Sequence, residues 1–226
     1  MPTLVIANKM YSSWSLRPWL LLKQFGIPFD EVLIPLDQPD TRERVLRHSP
    51  AGKVPILIDG DATVWESLAI MDYAGESLGA RAWPEDRRTR AMARSVAAEM
   101  HAGFQALRNA CPMNLGKSFA RVERGAAVDR DVARFAEIVA SAQALAGAGG
   151  PFLFGAFSAA DAMYAPLATR LDTYGFDLDP MTRAYVDTIL GMPAFQEWRD
   201  AALRESWIVD DDEVDEAPVA IHRLVA

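Results

Sequence analysis

The chain has 226 residues, 50% of them hydrophobic, and a formal net charge of -8. That length holds one large domain or two small ones with a sizeable core, and a field of that sign opposes phosphate backbones and anionic lipid surfaces, so neither nucleic acid nor membrane is expected as a partner. The single cysteine, Cys111, excludes an intramolecular disulfide and a cysteine-based metal centre, no metal is expected, and Cys111 itself reads as a small buried hydrophobe.

The opening run MPTLVIANKM has no basic stretch ahead of its apolar residues and reads as a strand over Thr3–Ala7, not as a signal peptide. No segment approaches about 18 uninterrupted apolar residues, which makes the cytoplasm the expected compartment. Leu16, Trp19, Leu20 and Lys23 recur at helical spacing within Tyr11–Phe25, with Ser12, Ser13 and Ser15 as N-cap candidates and Gly26 as a C-cap. Phe29–Leu36 alternates in part and predicts a second strand; Asp40–His48 predicts a short surface helix. Val54–Ile58, Asp59-Gly60 and Thr63–Trp65 form a hairpin signal, and Ser67–Leu78 returns to helical spacing. The order β-α-β-α-β-β-α predicts a mixed sheet covered by helices.

A composition shift over Gly79–Glu85 marks the expected boundary between a domain at 1–80 and a second at 86–226. No strand pattern is visible from about Arg87 onward. Met92, Val96, Met100, Phe104, Leu107 and Cys111 predict one long amphipathic helix, and Val128–Leu145 predicts another. Gly147–Gly155 reads as a helix connection, since it lacks the context and lysine of a phosphate loop. Ser158-Ala-Ala-Asp161 resembles a capping box ahead of a helix, and further helices are expected near Met181–Leu190 and Ala194–Arg204. The acidic run from Asp210 to Glu216 lacks the spacing of a calcium loop and reads as a solvated tail.

Three segments suggest chemistry in combination. Tyr11-Ser12-Ser13-Trp14-Ser15-Leu16-Arg17 follows the first strand and opens the first helix, where free N–H groups and the dipole stabilise an anion or thiolate, to which a serine hydroxyl adds a hydrogen bond. Ordinary capping explains the same serines. Ser49-Pro50-Ala51-Gly52-Lys53-Val54-Pro55 leads into the hairpin; a cis Val54-Pro55 bond would turn the Val54 backbone outward to a peptide-like ligand, and Lys53 suits a carboxylate. Glu66-Ser67-Leu68-Ala69-Ile70 offers an acid for an ammonium and a serine at a helix start for a carboxylate, a pairing that suits an amino-acid head group.

Taken together, SSWSLR, SPAGKVPIL, ESLAI and SAAD resemble the bacterial glutathione transferase family, and SSWSLRPW resembles the SSCSWRVR run of its zeta class, the maleylacetoacetate isomerases. The resemblance spans Leu4 to about Arg204. It implies an α/β thioredoxin-like N-terminal domain followed by an all-α C-terminal domain, glutathione as thiol cosubstrate, a small hydrophobic electrophile as second substrate, and a homodimer. By the same resemblance Ser12 is the thiolate-stabilising hydroxyl with Ser13 as alternative, and Tyr11 is a rival. Val54 pairs with the cysteinyl part of glutathione beside a cis Pro55, Lys53 meets the glycine carboxylate, and Glu66 with Ser67 holds the γ-glutamyl group. Asp161 is the structural aspartate of the family's folding motif. Trp14 replaces the zeta cysteine, which removes cysteine-based redox chemistry there, and Leu16-Arg17-Pro18 departs from the zeta pattern. The implied reaction is conjugation of the glutathione thiolate; the alternatives are a glutathione-dependent cis–trans isomerase and a glutathione-binding module without turnover. Met100, Phe104 and Met113 are candidates to line an apolar substrate pocket.

Overall fold

The computed structural model describes residues 1–147 and 149–224. Its first part contains β1 (Thr3–Ile6), α1 (Ser13–Gln24), β2 (Asp30–Leu33), α2 (Thr41–Leu46), β3 (Ile56–Asp59), β4 (Ala62–Trp65) and α3 (Ser67–Ser77), the expected order. The four strands form one sheet ordered β2-β1-β3-β4, with β1 parallel to β2 and antiparallel to β3, and β3 antiparallel to β4. The central strand β1 is apolar because both its faces are covered. Leu4 and Ile6 enter the main core, while Val5 joins Ile34, Val45 and Ile56 in a smaller cluster that reaches α2. In the hairpin, Asp59 pairs with Ala62, so the turn residues are Gly60 and Asp61 rather than Asp59-Gly60. Gly60 has φ +60°, which a residue without Cβ adopts at little cost.

The helical part holds α4 (Arg87–Ala102), α5 (Gln105–Ala110), α6 (Ala126–Ala146), α7 (Ala159–Thr173), α8 (Pro180–Leu190) and α9 (Pro193–Ala202). The single helix expected from Met92 to Cys111 is broken. Gly103 is extended, and Phe104 adopts φ 59° and ψ 31°, outside the right-handed helix. A Cβ on Gly103 would stand 2.8 Å from the Glu99 carbonyl oxygen, so only glycine fits the close approach at this corner. Phe104 is buried and meets the Tyr164 ring edge-on at 5.8 Å. The corner re-aims the chain without interrupting its apolar face, which is why the spacing runs through it.

Two strands were missed in the second half. β5 (Lys117–Phe119) and β6 (Pro218–Ile221) pair antiparallel in a small ribbon, mostly half-exposed and too short for alternation to be visible. The Gly147–Gly155 connection contains isolated bridges Phe152–Gly155 and Phe154–Ala156; Ala148 lies outside the described residues. At the start of α7, Asp161 accepts the Ser158 N–H at 2.9 Å, the acidic half of a capping box. α7 is buried along nearly its whole length and packs on α1, α4 and α8.

The acidic tail is not simply solvated. Asp210–Asp212 forms a 3-10 turn, and Glu213 accepts hydrogen bonds from Tyr11 Oη (2.6 Å), Lys117 Nζ (2.5 Å) and Asn114 Nδ2 (3.1 Å). Glu216 makes a two-pronged pair with Arg124 at 2.8 and 2.7 Å. The basic partners are distant in sequence, so a run of like charges gave no hint of them. No helix among the described residues is long and apolar enough to cross a membrane.

Candidate functional site

The turn between β1 and α1 is fixed from several sides. The Asn8 carbonyl accepts the N–H groups of Tyr11 (3.3 Å) and Ser12 (2.8 Å). The Glu205 carboxylate accepts those of Lys9 (2.8 Å) and Met10 (3.0 Å). This geometry places Ser12 as N-cap of α1, which starts at Ser13 and not at Tyr11. The Ser12 Oγ accepts the Ser15 N–H at 3.3 Å and lies 2.8 Å from Ser15 Oγ, which in turn accepts the Ala7 N–H at 3.1 Å. Pro18 lies past the first turn of α1, where a missing N–H is no longer free, so the Trp14 carbonyl has no residue-18 donor.

Two adjoining clefts open beside this turn. One, of about 140 Å³, is lined by Trp14, Lys53, Val54, Pro55, Trp65 and Glu66. Its neighbour, of about 460 Å³, adds Ser12, Leu36, Arg42 and Gly52 around the shared Trp14, Lys53 and Val54. Ser12, Lys53, Val54 and Glu66 are therefore brought to one continuous depression, while Ser13, the first helical residue, is buried and not on its wall. The Val54–Pro55 bond is cis. Lys53 is exposed at the rim.

The α3 end differs from expectation. Glu66, not Ser67, is the N-cap residue, with φ 69°, a left-handed conformation that is uncommon for a residue with a side chain. Ser67 is fully buried, and its Oγ lies 3.8 Å from Met163 Sδ, turned into the core. Met100, Phe104 and Met113 are all buried in the core and do not line the clefts.

Tyr11 is buried and turned toward the C-terminal segment. Its hydroxyl donates to Glu213 at 2.6 Å and accepts from Arg223 at 2.7 Å. Burial, then the Glu213 hydrogen bond and charge, raise its pKa above the ordinary tyrosine value.

Sequence reasoning passed over a second set of residues behind the cleft. The Trp14 ring centroid lies 4.1 Å from Arg17 Cζ and 4.5 Å from Arg108 Cζ, and 5.3 Å from the His101 ring centroid. His101 Nε2 stands 3.7 Å from Glu66 Oε2 on the cleft wall. Burial first, then the Arg17 charge, lowers the His101 pKa below its ordinary value, so the ring is neutral near pH 7. The available signal was Arg17 itself, a charged residue between Leu16 and Leu20 in a helix otherwise apolar around most of its circumference.

The architecture is similar to that of known structures. A glutathione transferase homologue from Burkholderia with bound glutathione superimposes with a TM-score of 0.66 at 24% identity, over 89% of this chain and 97% of that one. A tau class glutathione S-transferase from mango gives a TM-score of 0.70 at 22% identity, over 89% and 95%. At such identity these likenesses define the fold. In sequence, residues 11–77 match the profile described as glutathione S-transferase, N-terminal domain, and residues 125–201 match glutathione S-transferase, C-terminal domain. The chain belongs to the glutathione S-transferase family. Among curated relatives, a dichloromethane dehalogenase of Methylorubrum extorquens is 40% identical over 63 residues, 26% of this chain and 22% of that protein. Glutathione S-transferase F10 of Arabidopsis thaliana is 36% identical over 74 residues, 32% of this chain and 34% of that protein. The chain thus matches only about a third or less of the length of these relatives.

Proposed function

We propose that the protein is a glutathione transferase that joins the glutathione sulfur to small hydrophobic electrophiles. The observation that carries this reading is the convergence of Ser12, Lys53, Val54 and Glu66 on one depression at the start of α1. In this reading residues 1–80 bind glutathione and residues 86–226 bind the electrophile. Lys53 meets the glycine carboxylate, the Val54 backbone pairs with the cysteinyl unit, and Glu66 takes the γ-glutamyl ammonium. Ser67 serves through its place at the start of α3, since its hydroxyl is turned inward. The protein acts as a cytoplasmic homodimer, which light scattering tests directly.

The serine chemistry follows from the hydroxyl relay. The Ala7 N–H fixes Ser15 Oγ, and the Ser12 and Ser15 hydroxyls share one hydrogen bond. Hydroxyl protons rotate, so with sulfur present Ser15 donates to Ser12 and Ser12 donates to the thiolate, each bond polarising the next. The thiol proton leaves to solvent. The thiolate then forms the sulfur–carbon bond as the leaving group departs with its electron pair.

Ser12→Ala is expected to lower kcat/KM by about 10²-fold or more, the scale of losing one preorganised donor to a developing anion. Ser15→Ala is expected to lower it by about 10-fold, because it loosens the donor without removing it. Retention on glutathione resin, ultraviolet absorbance of the bound thiolate and steady-state kinetics read both effects. Retained binding with unchanged thiolate absorbance in Ser12→Ala overturns the assignment.

A further inference from the structure

Arg17, Arg108 and Arg170 influence one another electrostatically where α1, α5 and α7 approach, in a chain whose net charge is -8. Among the described residues none of the three pairs with a carboxylate. Arg170 donates to the carbonyls of Cys111 (2.8 Å) and Pro166 (3.0 Å). Arg108, half-buried, reaches only the carbonyls of His101 (3.5 Å) and Gly103 (3.4 Å). Arg17 is 0% exposed, and its Nε, Nη1 and Nη2 all lack a hydrogen-bond partner. The neighbouring His101 Nδ1 is also buried and unpartnered.

An isolated buried guanidinium is costly, because it gives up hydration and gains nothing in return. Here the cost is increased by the like charge of Arg108. Glu66, a carboxylate of the cleft wall, is more than half exposed and lies against His101. The unmet donors are separated from the cleft by the half-buried Trp14 ring, which lines both clefts and contacts both guanidinium groups. Planar guanidinium groups match a carboxylate in geometry and charge.

We infer that Arg108 and Arg17 form the receptor for a carboxylate carried by the second substrate, with the Trp14 ring turning aside from Arg17 as that group enters. The inference rests on the transferase reading and narrows its substrate class to acidic electrophiles. Arg108 is the half-buried member of the site, and Arg17 is the fully buried charge behind it. The glutathione carboxylates have Lys53 and the start of α3 on the sheet side, whereas Arg108 comes from the helical side.

Calorimetric titration of the full chain with dinitrobenzoate and with its neutral methyl ester tests the receptor without any turnover. The acid is expected to bind about 10-fold or more tightly than the ester, and Arg108→Gln to abolish that preference while leaving the ester within about twofold. Arg17→Met is expected to weaken the acid alone. In turnover, para-chloro-dinitrobenzoate should show the same preference over its methyl ester in KM, with the KM for glutathione unchanged in Arg108→Gln. Equal binding of acid and ester by the wild type overturns the inference. So does an Arg108→Gln effect confined to glutathione, which assigns the cluster to a glutathione carboxylate. Acid-selective binding that depends on Arg108, with no turnover of either compound, upholds the receptor and sinks the transferase reading instead. Arg108 is half-buried, so its glutamine variant keeps the fold, which circular dichroism verifies.

Discussion

Asp161→Ala is expected to lower the unfolding free energy by about 3–5 kcal/mol, a loss at the upper end for one side chain. Asp161 is 0% exposed, and its Oδ1 accepts the Leu153 N–H (2.9 Å) and the Tyr185 hydroxyl (3.2 Å). Its Oδ2 accepts the Ser158 N–H and hydroxyl, both at 2.9 Å. Alanine leaves these buried donors without an acceptor and frees both the turn ahead of α7 and the contact with α8. Asparagine does not rescue it fully, since its amide nitrogen faces donors on one side. Urea unfolding measures the loss; a change under about 1 kcal/mol would show that water replaces the carboxylate.

The same residue sets a pH dependence. Burial outweighs the four hydrogen bonds and raises its pKa to about 6. The folded state therefore holds the extra proton between the unfolded aspartate value and about 6, and stability falls as pH rises through that window. The share of this group is about 3 kcal/mol. Wild-type stability is expected to be higher at pH 5 than at pH 7, and Asp161→Ala to remove most of that difference. Asp212, raised by burial to about 6, acts with the same sign.

Arg17→Met is expected to stabilise the ligand-free protein by about 1–3 kcal/mol. Replacing a buried charge without a partner by an apolar side chain of similar length removes its desolvation penalty, and the lost contact with Trp14 offsets part of the gain. Denaturant midpoints of wild type and variant, with and without dinitrobenzoate, read the effect. The wild type should gain stability from the acid and the variant should not. A destabilised Arg17→Met would mean that the guanidinium is satisfied by structure rather than by ligand. The expected pattern, a residue that weakens the fold and serves a site, is a stability–function trade-off.

What was legible in the sequence was what is encoded locally. The strand at Leu4–Ile6, the hairpin around Gly60 and the box at Ser158–Asp161 each depend on neighbours within a few residues. The corner at Gly103–Phe104 escaped because the apolar spacing from Met92 to Cys111 passes through it unbroken. The ribbon joins Lys117 to Ile221, and the tail joins Glu213 to Tyr11, so neither has a local signature. The same holds for the site. Ser12 is visible as a helix start, and its hydrogen bonds with Ser15 join residues only three apart. The direction of the Ser67 hydroxyl, toward Met163 on a distant helix, has no local signature. Arg17, Arg108 and Arg170 converge only once α1, α5 and α7 are packed.

The turn that carries Ser12 is held by Glu205 through the Lys9 and Met10 N–H groups and by Glu213 through Tyr11. During synthesis the sheet strands leave the ribosome first, at about 5–20 residues per second. Glu205 and Glu213 follow about two hundred residues later. A nascent chain can therefore complete its four-stranded sheet and still lack a finished serine turn until Glu205 and Glu213 emerge. The setting of the serine turn is thus a property of the packed chain, and a translation product interrupted before Glu205 would carry the serines without it.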